Sequence, residues 1–199
     1  MRFYDIDNGS ITIDGVNIKD IDCENLRKNT AIVLQDTVLF ADTVKNNLLY
    51  SRQDATDTEI IAAAKKANCH NMIMHLPDGY DSMLAKDGQN LSQGQRQLLS
   101  IARAFVASPK ILILDEATAF ADPDNEAKVQ AAFERLSQGK TVIMIAHRLS
   151  SVTGVDRVYV LKNGQINQSG KHNELAESGG LYAHMWEEYN KSVNWKVGV

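Results

Sequence analysis

The 199 residues predict an α/β fold, a mainly parallel sheet flanked by helices with a helical subdomain set into it. Three observations predict it. Ile111-Leu-Ile-Leu114 and Thr141-Val-Ile-Met-Ile-Ala146 are apolar without alternation, as in strands covered on both faces. Residues 92–106 and 124–137, which flank these runs, carry helical periodicity. The chain is 44% hydrophobic and 23% charged, enough apolar material for one ordinary core and too much for a disordered chain.

Along the chain, Gly9 to Ile18 alternates apolar and polar residues around Asp14-Gly15 and reads as a hairpin. Thr30-Ala-Ile-Val-Leu34 reads as a short buried strand. Residues 56–76 read as one helix. Thr56 and Glu59 have capping-box spacing, and Ile60, Ile61, Ala64 and Ala67 share a face. Pro77-Asp78-Gly79 makes a turn. Ser92 and Gln95 form a second capping box, opening a helix with Leu98, Leu99, Ala102 and Phe105 on one stripe. Gly139 stops the helix at 124–137. Arg157 to Gln168 is a second hairpin, turning at Asn163-Gly164, and two short helices follow near His172–Glu177 and Leu181–Tyr189. The expected division is a core lobe at 1–45 and 107–199, interrupted by a helical subdomain at 46–106.

Lys plus Arg number 21 and Asp plus Glu 25, a net charge of −4 that gives no reason to expect a nucleic-acid partner. No apolar run approaches the roughly 18–20 residues that span a bilayer. Cys23 and Cys69 have no metal spacing and read as reduced thiols in a cytosolic setting.

Four places carry candidate chemistry. Asp115-Glu116 ends an apolar strand, and ligands of open α/β sheets sit at the carboxyl ends of strands. One carboxylate there can hold Mg²⁺ and a second can activate water. A solvated acidic pair would look the same in sequence. Ala146-His147-Arg148 ends the other apolar strand, where an imidazole can reach the same ligand. Leu91-Ser92-Gln93-Gly94-Gln95 opens a helix whose free N–H groups and partial positive charge suit a phosphate. Gly94 costs helix stability, which makes sense where backbone must approach something closely. Gln35 ends the first strand and can serve a metal ion or position water.

In this order the four places resemble the nucleotide-binding domain of ABC transporters, a P-loop NTPase-like ATPase, over nearly the whole chain. Gln35 resembles the Q-loop glutamine, and Leu91-Ser-Gln-Gly-Gln95 the signature motif Leu-Ser-Gly-Gly-Gln with Gln93 in place of the first Gly. Leu112-Ile-Leu-Asp115 resembles the end of Walker B, Glu116 the catalytic base, Asp122 the D-loop aspartate and His147 the switch histidine. Phe3-Tyr4-Asp5, Asp14-Gly15, Leu26-Arg27 and Leu39-Phe40 resemble the exporter branch. Two departures stand out. The family's Glu-x-Gly coupling element reads Ala85-Lys86-Asp87-Gly88, its acid missing or displaced to Asp87. The phosphate loop Gly-x-x-x-x-Gly-Lys-Ser/Thr (Walker A), which in the family precedes the Phe-Tyr-Asp segment, does not occur; the expectation is an N-terminally truncated domain.

The resemblance implies ATP and Mg²⁺ as ligands. It implies a head-to-tail dimer with a second ABC ATPase domain, a transmembrane exporter domain as partner, and a place at the cytoplasmic face of the inner membrane. Ser92, Gln93, Gly94 and Gln95 would meet the γ-phosphate held by the partner domain. Glu116 would polarise water, His147 would hold phosphate and water in line, Gln35 and Asp115 would serve Mg²⁺, and Asp122 would link the two sites. Without the phosphate loop, negligible ATP hydrolysis by the isolated chain is expected. The alternatives are a non-enzymatic partner that donates its signature helix in trans and, less favoured for want of heptads, a lobe of a chromosome-maintenance ATPase.

Overall fold

The computed structural model describes residues 1–34, 36–115, 123–146 and 148–197, with backbone alone at 123–124 and 193–197. It divides into two compact units, Met1–Ile145 and Ala146–Val199.

The first unit opens with a hairpin of β1 (Thr12–Ile13) and β2 (Val16–Asn17). Its turn residues Asp14 and Gly15 sit at φ 49° and 81°, the left-handed pair that an Asp-Gly turn supplies. Helix α1 (Cys23–Lys28) follows, its start fixed by the Asn25 amide donating to Asp22 Oδ2 at 2.9 Å. The sheet consists of β3 (Thr30–Val33), β4 (Ile111–Asp115) and β5 (Thr141–Ile145), all parallel in that order. Between β3 and β4 runs the helical part: α2 (Val44–Leu49), α3 (Asp57–Lys66), α4 (His70–Met74) and α5 (Gln93–Ala107). Helix α6 (Pro123–Ser137) links β4 to β5.

Both capping boxes form: Thr56 with Glu59 on α3, and Ser92 with Gln95 on α5. Thr56 and the Arg52 guanidinium bond the Glu59 carboxylate and hold its pKa down to about 2. The long helix expected over 56–76 is two helices. Asn68 takes φ 60° between α3 and α4, a conformation Asn tolerates, and α6 fixes it there. Its Nδ2 donates to Lys128 O at 2.9 Å, and its Oδ1 accepts from Arg135 Nη1 at 2.8 Å.

The core lies between the helices and one face of the sheet, around Leu48, Ile60, Leu99, Ile101, Leu112, Val129 and Leu136. Burial differs across the sheet. Leu112 and Leu114 are sealed, but Ile143 and Ile145 of β5 are 54% and 51% exposed. The expectation that helices cover both faces of every strand therefore does not hold for β5. It is an outer strand that pairs only with β4 among the described residues; Val142 packs on the core, while Ile143 and Ile145 face outward.

The second unit is a hairpin, β6 (Val158–Lys162) with β7 (Gln165–Gly170), followed by α7 (His172–Glu177) and α8 (Leu181–Val197). Its turn, Asn163-Gly164, is the predicted one, and α8 runs longer than the expected Leu181–Tyr189. Val160, Leu175 and Tyr182 form its small core. Tyr182 is tied in by the pair of His172 Nδ1 and its hydroxyl at 2.8 Å and by its amide donating to Gln168 Oε1 at 2.8 Å.

Cys69 is fully buried, and burial pushes its thiol up to about 12; Cys23 is half-buried. Alkylation at pH 8 followed by mass spectrometry is therefore expected to label Cys23 in the native chain and both cysteines in denaturant.

Candidate functional site

Parallel pairing decides which residues can meet. Val33 of β3 pairs with Leu114, and Asp115, the last residue of β4, pairs with Ile145 of β5. Three strand ends thus leave the sheet at one edge, the place where open α/β sheets receive ligands. Asp115 is half-buried there. Gln35, Glu116, Asp122 and His147 lie outside the described residues.

The other described candidates sit at the tip of α5. Ser92 is the N-cap: its Oγ accepts from the Gln95 amide at 3.3 Å, and its own amide donates to Gln95 Oε1 at 2.9 Å. This reciprocal pair satisfies two of the donors a helix start leaves open. The amides of Gln93 and Gly94, in the first turn, have no acceptor inside the helix. With the helix dipole of a 15-residue α5 behind them, they suit an anion. Ser92 and Gln93 are exposed, and Gly94 is buried.

The close approach expected at Gly94 is real, and its partner is protein. A Cβ on Gly94 would stand 2.9 Å from Asn125 Cβ and 3.1 Å from Asn125 Cγ. The missing side chain lets the start of α5 pack directly on the start of α6, the helix that follows the segment with Glu116 and Asp122.

Gln93 also lines a cavity of about 210 Å³ with Asp36, Thr37, Asp87, Gln89 and Arg96. The structure therefore brings the residues next to Gln35 to the tip of α5, while Asp115 does not line this cavity. Arg96 is engaged on its own loop, donating from Nη1 to Leu91 O at 2.8 Å. With two carboxylates against one guanidinium, the cavity is suited to a polar or cationic group rather than to a triphosphate. Asp87 is exposed and takes φ 54°.

Sequence reasoning missed Arg103. Its guanidinium donates to Asn47 O at 2.9 Å, Asn47 Oδ1 at 3.0 Å and Val38 O at 3.1 Å, and lies over the Phe40 and Tyr50 rings. Burial lowers its pKa, and these acceptors offset the cost of desolvating the charge. Asn47, itself buried, accepts from the Phe40 amide at 2.9 Å and donates to Phe40 O at 3.0 Å. Arg103 and Asn47 thereby fasten α5 to α2 and to the stretch after Gln35. An arginine so near the apolar stripe of α5 was the available signal.

Among the described residues there is no group of three or more His, Cys, Asp and Glu side chains able to hold a metal by itself. Mg²⁺ does not need one, because one or two carboxylates together with substrate phosphates and water suffice, and the hard oxygens of Asp115 fit that part. No helix among the described residues is long and apolar enough to cross a membrane.

Residues 1–119 match the family model described as ABC transporter. A Staphylococcus aureus (strain NCTC 8325 / PS 47) protein named as a multidrug export ATP-binding/permease protein is 48% identical over 189 residues, covering 95% of this chain and 33% of that protein. The ABC transporter ATP-binding protein YfiC of Bacillus subtilis (strain 168) is 48% identical over 186 residues, covering 94% of this chain and 31% of YfiC. The structure of a bacterial Atm1-family ABC exporter with ATP bound superposes with a TM-score of 0.87 at 41% identity, over 94% of this chain and 33% of that one. The chain thus spans about a third of the length of these relatives.

The Gly94–Asn125 contact yields a prediction. Gly94→Ala is expected to destabilise by about 1–3 kcal/mol through overpacking, and adding Asn125→Gly is expected to recover much of the loss. Thermal unfolding of the two variants checks both.

Proposed function

The chain belongs to the ABC transporter family, and on that premise we propose that it is the ATP-binding and hydrolysing part of an exporter. The match over residues 1–119 carries this reading, because it contains the α5 tip and Asp115 in a parallel sheet that ends at one edge.

In this reading the Gln93 and Gly94 amides and the Ser92 hydroxyl receive the γ-phosphate of ATP held by a second ATPase domain in a head-to-tail pair. Gln95 keeps that tip in shape through its capping bonds. Glu116 takes the proton of the attacking water, and His147 holds water and γ-phosphate in line. Asp122 connects the two sites of the pair. Asp115 and Gln35 would hold Mg²⁺, which neutralises charge on the phosphates when bound. Positioning and charge neutralisation are all that phosphoryl transfer asks of the protein. Residues 46–106 act as the helical subdomain that presents the tip, and residues 1–45 and 107–199 as the core lobe. A transmembrane exporter domain docks on the domain at the cytoplasmic face of the membrane, with Asp87 as the coupling acid.

No Gly-x-x-x-x-Gly-Lys-Ser/Thr loop occurs in the 199 residues, so the chain by itself has half of each composite site. Purified alone, it is expected to release phosphate from ATP at the uncatalysed background. Measurable turnover that Glu116→Gln abolishes would overturn that expectation. Mixed with an intact family domain whose own signature serine is replaced, the chain is expected to restore turnover, and Ser92→Ala in this chain is expected to remove it.

A further inference from the structure

A second cavity, of about 310 Å³, lies at the other end of the sheet. It is lined by Lys66 at the end of α3, Phe105 near the end of α5, Ser108 just after it, Arg135 and Leu136 near the end of α6, and Gln138 and Lys140 in the link to β5. Lys140 directly precedes β5, so the cavity stands at the amino end of that strand. Four residue steps, about 13 Å of strand, separate Thr141 from Ile145 at the carboxyl edge. A ligand in this cavity is therefore not the nucleotide of the site described above.

The lining is basic and contains no carboxylate, in a chain whose net charge is −4. Cations near helix C-termini offset the dipole, and Arg135 does so directly: its Nη1 donates to Lys66 O at 2.6 Å and to Asn68 Oδ1 at 2.8 Å. That role does not account for Lys140, which sits on no helix. The side chains of Lys66 and Lys140 form no hydrogen bond or ion pair among the described residues. The nearest acid along α6, Glu134, accepts instead from Gln130 Nε2 at 3.3 Å. Leu136 is sealed in the core behind the cavity, and the half-buried ring of Phe105 supplies its apolar surface. Cations beside one half-buried aromatic ring, in a volume at the lower end of small-ligand pockets, suit a small anion with an apolar part.

We infer that this cavity binds a compact organic dianion, a phosphate monoester with a small apolar group. The phosphate is held by Lys66, Lys140 and the guanidinium edge of Arg135 that faces away from Lys66 O. The apolar group lies on Phe105.

The test is calorimetric titration of the 199-residue chain with phenyl phosphate, beside inorganic phosphate and benzyl alcohol as its two halves. Backbone amide shifts are followed in parallel. The expected result is saturable phenyl phosphate binding that exceeds either half, with shifts at Phe105, Gln138 and Lys140. In the Lys66→Gln/Lys140→Gln variant affinity is expected to fall about tenfold, the effect of two lost charge-assisted contacts. Neither lysine side chain has a partner among the described residues, so circular dichroism is expected to show this variant folded. Several results would overturn the inference: no saturable binding to the wild-type chain, undiminished binding to the double variant, benzyl alcohol binding as well as phenyl phosphate, or shifts confined to Ser92–Gln95. The first three results leave the proposed ATP hydrolysis untouched, because Phe105, Gln138 and Lys140 are at the opposite end of the sheet from the α5 tip.

Discussion

Burial of α5 is the constraint on which the first unit depends. Leu98, Leu99, Ile101 and Val106 are sealed between α2, α3, α6 and β3, and each large apolar side chain taken out of water contributes about 1.5–3 kcal/mol. Four such side chains give a gross sum comparable with the whole net stability of a domain, about 5–15 kcal/mol. The same burial orients the helix tip. Gly94 lets that tip rest on Asn125, and Arg103 ties the far half of α5 to α2 and to Val38. A helix held at both ends presents its first-turn amides in a fixed direction, which is what a phosphate contact requires.

The sheet supplies the complementary half. Parallel pairing brings β3, β4 and β5 to one edge, with Asp115 at the end of the middle strand. The two ends of the sheet differ in charge. The carboxyl edge carries Asp115, while the amino end carries Lys66, Arg135 and Lys140 beside Phe105. The outward apolar side chains of β5 are a separate matter, since a parallel strand of this composition is stable when both its faces are covered.

Local chemistry was legible in the sequence. Two capping boxes, the Asp14-Gly15 and Asn163-Gly164 turns, the three strands of the sheet and α5 all follow from patterns within a few residues. What the sequence hid depends on partners far along the chain. Asn68 looks like one more helical residue until Lys128 and Arg135 are seen to hold it at positive φ. The six-residue helices α1 and α2 are too short for periodicity to reveal, and only their caps, Asp22 and Thr43, announce them. Gly94 was read correctly as a place of close approach, but that its neighbour is Asn125 is a tertiary fact. Of the candidate site, Ser92–Gln95 stand where a phosphate can reach the exposed part of the tip and Asp115 stands at the strand end, while Gln35, Glu116, Asp122 and His147 lie outside the described residues.

The account turns on whether the tip of α5 contacts a phosphate that another domain holds. The direct measurement is amide NMR on the labelled chain as an intact, hydrolysis-deficient family domain is added with ATP or with ADP. The account predicts that ATP, which has a γ-phosphate, moves the Gln93 and Gly94 amides strongly and that ADP does not. Equal shifts with both nucleotides, or shifts that leave Ser92–Gln95 untouched, would contradict it.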